Sequence, residues 1–418
     1  MTTALTLAIF VAMLALVVIR PRGWHEAWWT TSAAVLVLAL GLVTPHDALS
    51  TVRTGQSALL FLFALLALAL LVGKSGFFAW AAVRCARASG GDGRALYRWV
   101  FVLGAIVTAV MSLDTTAVLF TPIVIVIAKR LELPTTPYVV MCAFVANVGS
   151  LLLPISNLTN LLFADTFHLT FVGFAARMAL PQLVALATTF GLLRLAFRKE
   201  IAAPCDLAKL TAAEIPNQRY LLLCVGVLGA VLLGYFIAPV CGIEPYWIAF
   251  AALPILVIAG VVTRVVTARA LGELEWGVFP FVIGLFVVVR SVENLGVVEL
   301  AVAWLSGHQG SQLVAITGGT AVASNVMNNL PAALVARGTL TALHATGSLP
   351  LGALLGANLG PMIMPFGSLA TILVLSVARR EGVQVSVSGL IRIGLWMTPV
   401  ILGAALVALW LVETSGLM

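Results

Sequence analysis

Two apolar stretches of this sequence are interrupted in the same way. Residues 146–162 read ANVGSLLLPISNLTNLL and residues 357–373 read ANLGPMIMPFGSLATIL, a shift of 357 − 146 = 211 positions. Each stretch places Asn, Gly, Ser and Pro inside a hydrophobic run, where an unbroken helix favours Leu and Ala. Broken spans at matching places in two halves of a chain are typical of the binding region of a membrane transporter. The pair therefore predicts two related halves whose breaks lie close together.

The composition places the chain in a lipid bilayer. Of its 418 residues, 61% are hydrophobic and only 9% are charged, whereas soluble domains carry about 25% charged residues. Many apolar runs approach the roughly 20 residues that a membrane-spanning helix needs, and without a closed barrel only helices satisfy their backbone in lipid. The net charge of +7 is dispersed over the ends of these runs, so topology explains it better than nucleic-acid binding. We expect an all-α polytopic membrane protein.

Four of the apolar runs are too short to cross a bilayer, which takes about 20 residues. They form two pairs, 98–111 with 116–128 and 312–324 with 330–343, and a polar segment joins the members of each pair. Each pair predicts a re-entrant hairpin with its polar tip near the middle of the membrane, covered by protein or water. The other runs predict about ten transmembrane helices, two of them broken. Five crossings in each half make the two halves inverted repeats.

The basic residues agree with this topology. If the basic segment 194–219 is cytoplasmic, all but four of the 23 Lys and Arg residues lie in cytoplasmic loops, and both termini lie outside. Such a bias is the positive-inside rule. Twelve crossings with internal termini are the alternative, and the charges near the first hairpin fit it less well. The predicted division is a first repeat over 1–199 with hairpin 98–129, a cytoplasmic linker over 200–218, and a second repeat over 219–418 with hairpin 312–343.

Asp114, at the tip of the first hairpin, is the one acid predicted deep in the membrane. An ionisable group there costs about 2.5–3.5 kcal/mol on insertion scales, so a functional role is the default interpretation. The alternative is that its carboxylate only caps the helix over 116–128. The chain has no HExxH or GxSxG motif and no metal-ligand spacing, so we expect no catalytic residue, metal or cofactor. Its five cysteines form no CxxC pair and are expected to be small buried side chains.

Uncharged polar residues complete the candidate site. Asn can both donate and accept, so the second tip could hold a neutral polyol or ligate a cation, unless its Asn residues only form the turn before Pro331. Unwinding near 147–150 and 358–361 would leave carbonyl groups and helix ends aimed at the centre. The predicted substrate-binding residues are Asp114, Thr115, Thr116, Asn147, Gly149, Ser150, Asn325, Asn328, Asn329, Asn358, Gly360 and Ser368.

Four segments carry a resemblance to a known family. SLDTTAVLFTPIVI (112–125), SNVMNNLPAALV (324–335), GPMIMPFGSLATILV (360–374) and GFFAWAA (76–82) are similar to the ArsB family of arsenite/antimonite efflux permeases, within the ion transporter superfamily. The similarity runs through most of the chain. It implies two inverted repeats with paired hairpins and unwound spans, the same layout that the spacing predicts.

The resemblance also implies a function, namely export of trivalent arsenic and antimony from the cytoplasm across the inner membrane, coupled to inward proton movement. Some members dock a cytoplasmic arsenite-stimulated ATPase, so a partner of that kind is implied as well. The family's functional positions correspond to Asp114, Thr115, Ser150, Asn328, Asn329 and Ser368. In this chain Asn147 and Asn358 stand where many members have Asp, and Met362 where they have Lys. These departures leave Asp114 as the main candidate for proton coupling.

The chemistry of arsenite agrees with an uncharged lining. Near neutral pH it is mostly As(OH)₃, which Asn, Ser, Thr and free backbone groups can bind without an Arg clamp. A dicarboxylate would need positive charge or bound cations, and no Lys or Arg lies near either tip. The alternative function is a sodium/proton antiporter or a sodium-coupled anion carrier, in which the same groups bind Na⁺. A membrane-embedded hydrolase is disfavoured because its motifs are missing.

Overall fold

The computed structural model describes residues 2–19, 21–210, 212, 214–267 and 269–415, which fold into helices without a β-strand. The first half contains α1 (Thr2–Ile19), α2 (Glu26–Ala39), α3 (Pro45–Thr54), α4 (Gln56–Lys74), α5 (Phe77–Ala88), α6 (Gly93–Val110), α7 (Leu113–Thr115), α8 (Thr121–Arg130), α9 (Thr135–Val148), α10 (Leu158–Thr166) and α11 (Phe171–Ala196). The second contains α12 (Gln218–Ile237), α13 (Pro245–Val262), α14 (Val278–Val292), α15 (Val298–Ser306), α16 (Gln312–Met327), α17 (Asn329–Ala342), α18 (Leu349–Leu359), α19 (Leu369–Arg380) and α20 (Val387–Thr414). The predicted all-α fold class is confirmed.

Seven segments of the described chain are long and apolar enough to cross a bilayer, judged by length and composition. They are α4, α6, α11, α12, α13, α20 and the run Val278–Ser306, which contains α14 and α15 and is kinked at Gly296. The other predicted crossings are α1, α2 and the two broken helices, whose described continuous apolar parts are shorter. Large apolar side chains on the outer faces are exposed, such as Leu183 at 63% and Val262 at 76%. Lipid is the solvent that suits such surfaces.

The first hairpin differs from its predicted bounds. Its first leg, α6, begins at Gly93 rather than residue 98, because the Asp92 carboxylate accepts hydrogen bonds from the N–H groups of Arg94 and Ala95, each 3.1 Å long. At 18 residues this leg is long enough to cross, so the prediction that it is too short was wrong. In the second hairpin α16 and α17 have 16 and 14 residues and stay below that length.

Corresponding elements of the two halves make reciprocal contacts. Helix α2 packs on α14 and α13 packs on α4, while α9 packs on α19 and α18 packs on α10. Helices α11 and α20 pack on each other. Two copies of one fold around a common axis would give this pattern. The boundaries of the repeats at 199 and 219 remain a prediction; the described part of the linker between them forms two short 3₁₀ turns.

Polar contacts between distant loops join residues that the positive-inside rule places on the same side of the membrane. Lys74 pairs with Glu273, and Lys209 lies 2.7 Å from Glu132, all in loops predicted to be cytoplasmic. The Lys129 ammonium donates to the backbone carbonyl of Glu381, which links the ends of α8 and α19. These contacts are consistent with the predicted orientation of the chain.

Candidate functional site

Both predicted breaks are present. Helix α9 ends at Val148 and α10 begins at Leu158, and helix α18 ends at Leu359 before α19 begins at Leu369. Only short 3₁₀ turns, Pro154–Ser156 and Gly360–Met362, lie in the two gaps. The break therefore falls at matching positions of the two halves, as the repeated sequence predicts. Each gap leaves helix ends inside the protein.

The glycines of the breaks let helices approach each other. A Cβ at Gly149 would lie 2.7 Å from the Val145 carbonyl oxygen and 2.9 Å from the Thr108 Cβ. A Cβ at Gly360 would lie 2.4 Å from the Cα of Ala321 in α16. Real Cβ atoms do not come this close to backbone, so each glycine marks a place where a hairpin leg crosses a broken helix. Their direct contact with a substrate remains a prediction.

A buried amide cluster joins the second break to the first. The Asn358 Oδ1 accepts hydrogen bonds from the Asn157 Nδ2 at 3.0 Å and from the Thr159 Oγ1 at 2.9 Å. The Asn358 Nδ2 in turn donates to the Asn160 Oδ1 at 2.8 Å. Asn160 also donates to the Ser150 carbonyl at 2.7 Å, which fixes the first break. All of these residues are buried, and every side-chain amide and hydroxyl of the cluster makes at least one hydrogen bond.

Asn147 is the residue of the first repeat that corresponds to Asn358. It makes the equivalent contact with fewer hydrogen bonds. Its Nδ2 donates to the Thr371 Oγ1 at 3.1 Å and to the Ala143 carbonyl at 2.8 Å within its own helix. Since 147 + 211 = 358 and 160 + 211 = 371, the Asn147–Thr371 bond is the counterpart of the Asn358–Asn160 bond. Thr371 was not among the twelve predicted substrate-binding residues, although its place in the second broken span makes it a candidate either to line the path or to pack helices together. Thr371 occupies the position in the second stretch that corresponds to Asn160 in the first, and this correspondence was the sequence signal that could have identified it.

The two predicted serines have different surroundings. The Ser150 hydroxyl donates to the Asn147 carbonyl at 2.8 Å, so it closes the end of α9. Ser368 is fully buried, and its hydroxyl has no hydrogen-bond partner in the described structure. Buried polar groups without a partner are few in native proteins and call for an explanation.

The first tip is held by residues other than Asp114. Ser112 has φ 148° and ψ 165°, and its hydroxyl accepts from the Thr115 N–H at 3.2 Å. The Thr115 hydroxyl bonds Ser112 at 3.1 Å, and the Thr116 hydroxyl bonds Thr108 at 2.7 Å. Ser112 therefore caps the next helix, and the alternative interpretation of Asp114 as its cap is wrong. The hydroxyl groups of both threonines are engaged within the hairpin.

Asp114 lines a small cavity. The cavity has a volume of about 100 Å³ and is bounded by Leu66 and Leu70 of α4, by the first tip, and by Glu273 and Glu275 before α14. At about 30 Å³ for each water in the liquid, it has room for roughly three water-sized groups. Within the described residues the Asp114 carboxylate makes no hydrogen bond. The acidic residues were missed because their loop is far from Asp114 in the sequence.

The second tip is built like the first. Asn328 has φ 77°, its Oδ1 accepts from the Leu330 N–H at 3.4 Å, and its Nδ2 donates to the Phe366 carbonyl at 3.0 Å. Asn325 donates to the Gly360 carbonyl at 2.7 Å, and its Oδ1 accepts from the Met364 N–H at 3.0 Å. The two amides thus hold the second break in place.

Asn329 lies beside them at the start of α17. Its backbone N–H donates to the Gly367 carbonyl at 2.8 Å, and its side chain is 5% exposed. The second tip is therefore joined to the second break by three residues. The roles of Asn325, Asn328 and Asn329 in substrate binding remain predictions.

A larger cavity reaches the first break from the opposite side. It has a volume of about 340 Å³ and contacts Pro154 and Ile155, with Asp165, His168 and Glu244 on its walls. In the predicted orientation these three residues are external. These three residues were not among the predicted site residues. In that predicted orientation the first break is approached from the outside, and the cavity at Asp114 lies on the side of the loops predicted to be cytoplasmic.

Comparison with known proteins identifies relatives over nearly the whole chain. A family model described as ArsB, arsenical pump membrane protein, matches residues 5–412. An arsenical pump membrane protein of Escherichia coli (strain K12) is 34% identical over 96% of this chain and 97% of its own length. One of Yersinia enterocolitica is 33% identical over 96% and 97% of the two chains.

A solved structure has a similar fold. The Alcanivorax borkumensis YdaH transporter, whose topology is described as unusual, aligns with a TM-score of 0.59 over 99% of this chain and 98% of its own. At 16% identity the similarity concerns the fold alone.

Proposed function

Because the chain belongs to the arsenical pump membrane protein family, we propose that it exports As(OH)₃ and Sb(OH)₃ from the cytoplasm in exchange for protons. It is a multi-pass membrane protein and a membrane arsenical transporter, of the bacterial inner membrane. The direction of transport, the coupling ion and the transported species are the parts of this function that we propose beyond family membership. Alternating access would come from movement of the hairpins and broken helices against the surrounding spans.

The uncharged centre of the protein supports a neutral substrate. The side chains that meet between the two breaks are amides and hydroxyls, among them Asn147, Asn358 and Thr371. The cavity beside Asp114 has no Lys or Arg among its lining residues. Anionic substrates are usually held by Arg or Lys or by bound cations. A tri-hydroxyl molecule needs only donors and acceptors of the kind found here.

The observation that carries the coupling mechanism is the position of Asp114. Its side chain lines the cavity between the first tip, α4 and the loop before α14, and it is not required as a cap, since Ser112 has that role. A carboxyl group without a structural bond can take up and release a proton without disturbing the hairpin. Uptake of a proton would remove the charge that is costly inside the membrane and so ease movement of the hairpin.

The absence of a thiol at the described centre agrees with reversible binding. The five cysteines are free, and none belongs to either break or either tip. Thiolates bind trivalent arsenic tightly, whereas hydrogen bonds to hydroxyl groups release it easily. The substrate would therefore be recognised through its oxygen atoms.

Arsenite uptake into everted membrane vesicles tests the proposal. Acidification of the vesicle lumen should drive uptake by the wild type, and Asp114→Asn should reduce it to the rate found after the pH gradient is collapsed. Asp47→Asn is the matched control, because Asp47 lies in α3 at the surface and the same change there should leave uptake intact. Equal pH-driven uptake by wild type and Asp114→Asn would remove the proton role from Asp114. Uptake that requires Na⁺ and ignores the pH gradient would favour a sodium-coupled carrier.

A further inference from the structure

A side chain of α11 reaches into the first break. Helix α11 buries a stripe of residues at helical spacing, among them Met178, Gln182, Ala185 and Thr189. Gln182 is 2% exposed, and its Oε1 accepts a hydrogen bond of 2.9 Å from the Leu151 N–H. Leu151 lies in the gap between α9 and α10, where the backbone is not helical. The Gln182 carboxamide thus joins α11 to the first break.

This bond satisfies a backbone group that has left the helix. A buried N–H group needs an acceptor, and inside a membrane protein no bulk water supplies one. Leu151 is 0% exposed, and in the described structure the acceptor of its N–H is Gln182. The position of the Leu151 backbone therefore depends on a side chain that belongs to another helix.

The segment held by Gln182 carries predicted substrate-binding residues. Gly149 and Ser150 directly precede Leu151 in the chain. The Ser150 hydroxyl donates to the Asn147 carbonyl at 2.8 Å, so these residues form one closed turn with Leu151 at its end. A displacement of Leu151 would displace this turn. Gln182 can thus determine the geometry of the predicted binding residues without contacting the substrate.

The helix equivalent to α11 contacts the second break through a glycine. Leu151 corresponds to Met362, since 151 + 211 = 362. In α20 a Cβ at Gly394 would lie 2.4 Å from the Met362 carbonyl oxygen and 2.8 Å from the Ile363 Cα. Gly394 is one residue from the position equivalent to Gln182, since 182 + 211 = 393. At this point the backbone of α20 lies directly against the second break.

The second break is bonded to its hairpin instead. Asn325 donates to the Gly360 carbonyl and accepts from the Met364 N–H, and Asn328 donates to the Phe366 carbonyl. Over the described residues, α20 forms no hydrogen bond with this break. A hydrogen bond requires a fixed distance and angle, whereas a glycine contact has no side chain that must be displaced when the facing backbone moves.

We propose that Gln182 is a positioning residue that fixes the first break on α11, while the second break moves past α20 at Gly394 together with the second hairpin. The proposal rests on the proposed function, because it states which break moves during arsenite export. Without the Gln182 bond, the turn at Ser150 would leave its binding geometry in a fraction of the molecules, and the apparent affinity would fall by that fraction. A side chain at Gly394 would obstruct the movement and leave the binding geometry in place.

The first test measures KM for arsenite uptake into everted vesicles that contain full-length variants. The Gln182 Nε2 has no hydrogen-bond partner among the described residues, so Gln182→Met removes the bond to Leu151 alone. KM should rise about three- to tenfold, as expected for the loss of one hydrogen bond between membrane helices. Thr189→Val is the matched control, because Thr189 lies on the same face of α11 and its hydroxyl has no partner in the described chain. It should have the wild-type KM.

The second test measures the maximal rate of the same uptake, normalised to the amount of folded protein. Gly394→Ala should lower this rate about tenfold and leave KM unchanged, because the new methyl group meets the Met362 carbonyl. Gly403→Ala is the control in the same helix, since nothing lies within 4 Å of its Cβ position, and it should have the wild-type rate.

The outcomes separate this inference from the proposed function. A wild-type KM for Gln182→Met refutes the role of Gln182, and a wild-type maximal rate for Gly394→Ala refutes the movement past α20. A merely structural role for Gln182 would reduce the amount of folded protein and leave KM unchanged. The rise of the melting temperature with arsenite concentration gives the affinity independently of transport. In each of these cases pH-driven uptake by the wild type leaves the export function standing; if the wild type takes up no arsenite, the proposed function fails and this inference with it.

Discussion

Replacement of Asn358 by Ala should destabilise the protein more than the same change at Asn147. Asn358→Ala removes three buried hydrogen bonds, those with Asn157, Thr159 and Asn160, and all three join the second repeat to the first. Hydrogen bonds between membrane helices contribute about 0.6 kcal/mol on average and up to about 1.7 kcal/mol. The expected loss is therefore about 2–5 kcal/mol.

The same replacement by Ala at Asn147, the equivalent position of the first repeat, should reduce the stability of the protein less. Asn147→Ala removes one bond between the repeats, to the Thr371 hydroxyl, and one to the Ala143 carbonyl of its own helix. The Ala143 carbonyl belongs to the helix ladder and keeps its position without the side chain. The expected loss is then about 1–2 kcal/mol, near the value of a single interhelical bond.

Reversible unfolding of the purified protein in mixed micelles with increasing denaturing detergent measures both losses. A double-mutant cycle between Asn358→Ala and Thr159→Val isolates one bond of the cluster, because the residues are in contact and their effects should not add. The reasoning is refuted if Asn358→Ala costs no more than Asn147→Ala. It is also refuted if the cycle shows no coupling between Asn358 and Thr159.

Two further predictions concern packing and orientation. Gly360→Ala and Gly149→Ala should each lower the melting temperature in detergent, by about 1–3 kcal/mol of stability, because the new Cβ meets backbone or a buried side chain. Gly403→Ala, where nothing lies within 4 Å, should be neutral or slightly stabilising, and an equal loss there would contradict the packing argument. A membrane-impermeant maleimide should label exposed Cys241 in right-side-out vesicles and not in everted ones. Cys205, in the linker, should react poorly from either side, since burial covers its thiol and raises its pKa, which lowers the thiolate fraction. Cys85 is half-buried on the predicted cytoplasmic side and is accessible only in everted vesicles, so label that persists in right-side-out vesicles after Cys241→Ala would refute the assignment.

Local sequence was sufficient to predict those structural features that follow from a single physical rule. The breaks at Gly149 and Gly360 could be predicted because Gly, Ser and Pro within an apolar run cannot continue a helix without cost. The membrane environment followed from the low charge, since lipid admits few ionised groups. The family resemblance, confirmed by relatives over 96% of the chain, depends on the same motifs.

Contacts between distant parts of the chain could not be predicted in the same way. Asp114 and Ser112 are both good capping residues by type, and only the backbone angles of the tip made Ser112 the cap. Glu273 is 159 positions from Asp114, since 273 − 114 = 159, so no local pattern placed it at the same cavity. The early start of α6 depended on Asp92, whose side chain was available as a cap in the sequence and was overlooked.

The sequence by itself determined an all-helical membrane protein with two matching interruptions, because backbone hydrogen bonding in lipid permits few other arrangements. The tertiary structure decided which polar groups at those interruptions form hydrogen bonds with each other and which do not. Asn358 and Ser368 both occur in the second copy of the repeated motif, yet the Asn358 amide has three hydrogen-bond partners and the Ser368 hydroxyl has none within the described chain. That difference arises from side chains about 200 residues apart, which only the packing of the two halves brings within 3 Å of each other.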